Sequence, residues 1–179
     1  MLTIKSTSKT HRLNEVVLLL RIIILTGYII ISFFSHMAVA ADEFTVFISD
    51  KETGRIISSE TVKSGDILTL RWKNSLFRLD VTETYTIRDT FFEQTGIIFH
   101  DPDGKDEPVI SACDVDDVYH TGGPFKAVGL SRSFKGIVFR IGEIGNPVIR
   151  LKERDIDLKS KVGFGNAVIL EIKNPHELK

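Results

Sequence analysis

Ile67-Leu68-Thr69-Leu70-Arg71-Trp72-Lys73, followed after a polar corner by Val81-Thr82-Glu83-Thr84-Tyr85-Thr86-Ile87, decides the fold class of this chain. Leu68, Leu70 and Trp72 recur at every second position, and so do Val81, Glu83, Tyr85 and Ile87, with threonines at 82, 84 and 86 on the opposite side. A period of two is the signature of a strand with one face in a core, and β-branched and aromatic residues suit that pleated surface. The pattern places Trp72 on a core face.

The same rhythm extends outward in both directions. Upstream, residues 44–48 and 55–62 flank Lys51-Glu52-Thr53-Gly54 and read as a hairpin, and Ser64-Gly65-Asp66 is a second turn. Downstream, 91–99 follows Arg88-Asp89. Later runs at 137–141, 147–151 and 167–172 are bracketed by turns such as Gly145-Asn146-Pro147 and Gly163-Phe164-Gly165-Asn166. No long segment has helical spacing, and there is no internal repeat, low-complexity tract or second-domain linker. The expectation is an all-β fold, an antiparallel β-sandwich or open barrel of about eight to ten strands.

The first forty residues have a different character. Lys5, Lys9, Arg12 and Arg21 make a basic leader, 22–34 is an apolar run of 13 residues, and Ala38-Val39-Ala40 supplies the small residues of a peptidase site. Crossing a bilayer takes about 20 residues. Lengthening the run through 16–20 would bury Arg21 at roughly 2.5 to 3.5 kcal/mol. We therefore expect a signal peptide over 1–40, a single β-rich domain over 41–179, and a periplasmic location. The alternative is an uncleaved segment anchoring the domain to the inner membrane. No cysteine follows the run, which argues against a lipoprotein.

The 139 residues after the leader are enough for one real core. Four of the chain's 23 basic residues and one of its 24 acidic residues belong to the leader, leaving 19 against 23. A mildly acidic domain lacks the clustered positive surface that nucleic acid requires. Cys113 is the sole cysteine, so no internal disulfide can form. Its neighbours Asp114, Asp116 and Asp117 disfavour the thiolate that a nucleophile needs.

Three constellations bear on chemistry. Asp101-Pro102-Asp103-Gly104-Lys105-Asp106-Glu107 gathers oxygen donors on a glycine-containing turn, so Asp101, Asp103, Asp106 and Glu107 are candidate calcium ligands. The spacing is not that of an EF-hand, and a solvated acidic turn is the plainer reading. His100 and His120, with Asp116 or Asp117, lack any local metal spacing. No G-x-S-x-G elbow occurs, Ser75, Ser131 and Ser133 have no local base, and Gly122-Gly123 is too short to cradle phosphate. No catalytic residue and no cofactor other than calcium is expected.

The third is the polar corner 73–83. Asn74, Ser75, Arg78 and Glu83 either satisfy one another and the backbone of a strand-to-strand corner or line a small-ligand pocket. This corner, with a serine three residues after Trp72 and a glutamate ahead of an aromatic strand, resembles a family of small exported proteins of unknown function. Its members carry a signal peptide and are often encoded beside fused permeases of TRAP-type transporters of the TAXI class. The likeness spans roughly 64–172 and includes the strand within 134–142 and the close at 165–172. Of the family's histidine-serine pair and two acidic residues, Ser75 and Glu83 match, while Asn74 and Phe77 replace the other two. The resemblance implies a non-enzymatic accessory or binding protein, with a TRAP-type permease or its solute as partner. The alternative from the residues is an envelope interaction module that binds calcium or a protein through the acidic 101–117 segment.

Overall fold

The computed structural model describes residues 43–174 together with Leu19, Arg21, Ile23 and Ile24. The chain divides into two units, Met1–Ala40 and Ala41–Lys179. In the first, the four described residues are helical and exposed; the Ala38-Val39-Ala40 motif and most of the apolar run lie outside the described residues. No described helix is long and apolar enough to cross a membrane.

The second unit holds ten strands among the described residues: β1 (Glu43–Asp50), β2 (Ile56–Lys63), β3 (Ile67–Lys73), β4 (Asp80–Arg88), β5 (Phe91–Phe99), β6 (Phe125–Phe134), β7 (Gly136–Arg140), β8 (Val148–Leu151), β9 (Arg154–Asp157) and β10 (Ala167–Lys173). They form a four-stranded sheet in the order β2-β1-β10-β7 and a six-stranded sheet in the order β6-β5-β4-β3-β8-β9. Every pairing between these strands is antiparallel. The fold is thus an all-β sandwich. Two short helices interrupt it, α1 (Val115–Thr121), entered through a 3-10 turn at Ala112–Asp114, and α2 (Leu158–Val162).

Local chemistry explains the connections. In the β1-β2 hairpin the Asp50 carboxylate accepts from the amides of Glu52 (3.0 Å) and Thr53 (3.2 Å), and Gly54 takes a positive φ of 69° to reverse the chain. At Ser64-Gly65-Asp66 the chain leaves the first sheet for the second, and Asp66 accepts from the Lys63 amide at 3.0 Å. It returns between β6 and β7, which are edge strands of different sheets separated only by Lys135.

The main core lies between the sheets. Phe44, Val46 and Ile48 of β1 and Val168, Leu170 and Ile172 of β10 meet Leu68, Leu70, Tyr85, Ile87, Phe92 and Ile149 of the six-stranded sheet. Each such side chain contributes about 1.5 to 3 kcal/mol on burial. A second cluster comprises Leu79, Val81, Ile97, Phe99, Val115, Phe125, Ala127 and Leu130, so here α1 rather than a second sheet supplies the cover. Trp72 packs against both clusters.

β6 and β9 and the two helices go beyond the strands read from periodicity. Along β6, Phe125 and Ala127 are buried at alternate positions, but a bulge at Gly129 (φ 73°) resets the face so that Leu130 is buried next. β5 carries the matching irregularity at Thr95, which moves its buried positions from Phe92 and Gln94 to Ile97 and Phe99. A bulge breaks a strict period of two.

Candidate functional site

A cleft of about 230 Å³ opens where the ends of β3 and β7 meet α1 and the loop 141–147. Its apolar wall is aromatic: Trp72 from β3, Phe139 from β7 and Tyr119 from α1. Trp72 stands edge-on to Phe139 (centroids 6.0 Å apart, 62° between planes) and to Phe99 (6.3 Å, 78°), and Phe99 in turn meets Tyr119 at 5.4 Å and 90°. These are the tilted arrangements that ring quadrupoles prefer. Gly145, at φ 74°, brings the far side of the cleft against β3, since a Cβ there would lie 2.6 Å from the Lys73 Cβ.

Two cations border the cleft, and no carboxylate lines it. Lys73 is paired with Asp80 at 2.8 Å and also approaches the Arg78 carbonyl at 3.4 Å. Arg140 donates one N–H to the Gly165 carbonyl at 2.9 Å and, among the described residues, has no carboxylate partner. Its remaining donors present a flat fork suited to a carboxylate.

Behind the aromatic wall lies Glu83. In the β3-β4 register it pairs with Leu70, two positions from the Trp72–Val81 pair, so its half-buried side chain shares the core face of the sheet. Its Oε1 accepts the Trp72 indole N–H at 2.8 Å, and its Oε2 accepts from the Tyr85 hydroxyl and from the Gln94 amide (3.1 Å). Three neutral donors around one carboxylate satisfy the groups that the junction of the two cores would otherwise leave unpaired. Burial pushes the Tyr85 phenol far above its usual range, and the negative charge and hydrogen bond of Glu83 add to the effect.

The corner residues separate into different roles. Asn74 is buried, and its side-chain oxygen accepts from the amides of Leu76 and Phe77, both at 2.9 Å. Its own amide donates to the Leu79 carbonyl and its carbonyl accepts from the Arg78 amide, each at 2.8 Å. Asn74 thus builds the turn, and Arg78 occupies a left-handed position at φ 61°. Ser75 is exposed and lines the cleft beside Asn74. Arg78 is exposed and does not line it, and it does not satisfy Glu83, whose carboxylate is taken by neutral donors, while Asp80 pairs with Lys73. Of the four corner candidates, two border the cleft and Glu83 reaches it through Trp72.

The acidic turn is organised around itself. Asp101 accepts from the Asp103 amide at 2.8 Å, and Lys105 pairs with Asp103 at 3.1 Å. Glu107 accepts from the Asp101 amide at 3.4 Å and contacts His100 Nδ1 at 3.1 Å. Backbone N–H donation, with His100 beside it, holds the Glu107 carboxyl below the usual carboxylate range. Among the described residues no three His, Cys, Asp or Glu side chains converge as they would around a metal ion, so the structure does not gather Asp101, Asp103, Asp106 and Glu107. His100 bonds Thr82 at 2.9 Å, whereas His120 stands edge-on to Tyr119, and the two imidazoles belong to different settings. Cys113 is exposed in the 3-10 turn, its sulfur 3.0 Å from the Ser111 hydroxyl. Gly122 closes α1 at φ 75°, where a Cβ would fall on the Phe77 ring, so this glycine serves close packing, whereas Gly123 at φ 126° meets no such contact.

Phe139, Arg140 and Tyr119 were not legible as site residues. Tyr119 lies some twenty positions from the adjacent Phe139 and Arg140, none of them carries a spacing signal, and only the cleft they line brings them together with Trp72. Compared with family models, curated proteins and solved structures, the chain finds no match.

Proposed function

We propose that this chain is an exported, non-enzymatic binding protein of the periplasm, linked to TRAP-type solute uptake, whose cleft takes a small carboxylate-bearing solute. The observation that carries this reading is Arg140, a cation without a carboxylate partner among the described residues, bordering a concave site with an aromatic wall and no acidic lining. A few oriented polar groups on an apolar concavity are what a small-molecule site requires. The leader supports the compartment, and the resemblance of 64–172 to exported accessory proteins supports the transporter link.

The test is a thermal-shift screen of the purified protein against carboxylic acids, amino acids, and calcium with a chelator control. A site filled to a hundred times its dissociation constant stabilises by about 2.7 kcal/mol, a shift of several degrees. We expect an organic acid to raise the transition and Arg140→Ala to abolish the effect. A shift with calcium alone would overturn the reading in favour of the acidic 101–117 segment.

A further inference from the structure

We infer that the cleft selects a planar, conjugated carboxylate, with Trp72 as the surface it lies against and Glu83 as the positioning residue that holds the indole in place. This rests on the reading of the cleft as a carboxylate site and adds the shape of its ligand.

The wall decides the class. Trp72, Tyr119 and Phe139 line about 230 Å³, room for one ring bearing a carboxylate rather than for a long chain. Ring surface favours a flat, π-rich partner over a saturated one of equal size, and Arg140, with a guanidinium that keeps donors beyond its bond to Gly165, borders the same site.

Trp72 is also fixed before any ligand arrives. Its N–H is held by Glu83 at 2.8 Å, its ring is contacted edge-on by Phe99 and Phe139, and Glu83 is itself secured by Tyr85 and Gln94. A pre-set wall removes the ordering penalty that a mobile indole would impose on binding. Glu83 does not line the cleft, so its influence on a ligand passes through Trp72.

Trp72 is the only tryptophan of the chain, so its fluorescence reports this site alone. The experiment titrates the full-length protein with benzoate, cyclohexanecarboxylate and acetate, following Trp72 emission and the thermal transition. Benzoate is expected to change the emission and to bind roughly five- to tenfold more tightly than cyclohexanecarboxylate. Glu83→Gln, which keeps an acceptor for the indole, should bind benzoate within about twofold of wild type, and Glu83→Leu roughly five- to tenfold more weakly, with acetate unaffected in both. Should Glu83→Leu not fold, Trp72→Leu followed by thermal shift replaces it, and benzoate should lose its advantage over cyclohexanecarboxylate. Equal binding of the two rings overturns the selection for planarity while leaving the carboxylate site standing. Wild-type benzoate affinity in a folded Glu83→Leu overturns the role of Glu83. No response to any carboxylate, with Arg140→Ala indistinguishable from wild type, removes the underlying reading as well.

Discussion

The indole N–H of Trp72 donates to the Glu83 carboxylate at 2.8 Å, a side-chain bond that ties β3 to β4 on the face they turn toward the core. Above it is the cleft wall; around it are the donors from Tyr85 and Gln94. One carboxylate thus supports both the junction of the two hydrophobic clusters and the side chain that borders the cleft.

Removing that acceptor should be destabilising out of proportion to its size. Glu83→Leu strands the donors of Trp72, Tyr85 and Gln94, of which Tyr85 and Gln94 are buried, and should cost about 2 to 4 kcal/mol. Glu83→Gln, which still accepts at one oxygen, should cost about 1 kcal/mol. Urea unfolding of both variants measures the difference, and equal midpoints would show that the three donors find other partners.

Tyr85 should resist ionisation. Its phenol is raised first by burial and then by Glu83, so the folded state keeps the proton that the unfolded chain releases near its ordinary pKa of about 10. The stabilisation is fully present below that pH and is lost as pH rises above it. Alkaline titration of tyrosinate absorbance should show one of the three tyrosines silent until the protein unfolds, and Tyr85→Phe should remove that silent component.

Gly122 and Phe77 should be energetically coupled. A methyl group at 122 would meet the Phe77 ring and occupy a positive φ, so Gly122→Ala should destabilise by about 1 to 3 kcal/mol. In a Phe77→Leu background the steric part should shrink while the backbone part remains. A double-mutant cycle isolates the coupling, and strict additivity would place the ring elsewhere.

The start of α2 should report acid. Asp157 accepts from the Ser160 amide at 2.9 Å and from Asn146 at 2.7 Å, and these bonds, Ser160 first, hold its carboxyl below the usual range. Its contribution is present above the unfolded carboxyl pKa of about 3.9 and is lost as pH falls through the lower folded value. Asp157→Ala should cost about 1 kcal/mol at neutral pH, measured by urea unfolding, with the gap to wild type closing in acid.

How much was readable in advance follows from how local each signal is. The alternation of 67–73 and 81–87, and the turn residues around Asp50 and Gly65, involve neighbours a few positions apart; the β1-β2 hairpin and the β3 and β4 strands they announce are present, and the turn at Gly65 carries the chain from one sheet to the other. β6 was hidden because its bulge at Gly129 breaks the period. α1 was hidden for a different reason: a seven-residue helix is not stable alone, and it forms because Val115 and Val118 close the second core over Phe99 and Phe125. Asn74 was legible as a corner residue and serves that role, whereas Arg78 is exposed and does not border the cleft it was expected to line.

By itself the amino-acid order determined an all-β domain, with Trp72 and Glu83 on the face of the sheet that turns inward, because periodicity and turn chemistry act within a few residues. Only the tertiary structure decided that Glu83 would be bound by Trp72 and Gln94 from the two flanking strands, and that Phe139, Arg140 and Tyr119 would meet Trp72 around one cleft. Those associations depend on strand register, on a crossing between sheets at Lys135 and on a helix held by its packing. Each is a long-range contact that no local pattern encodes.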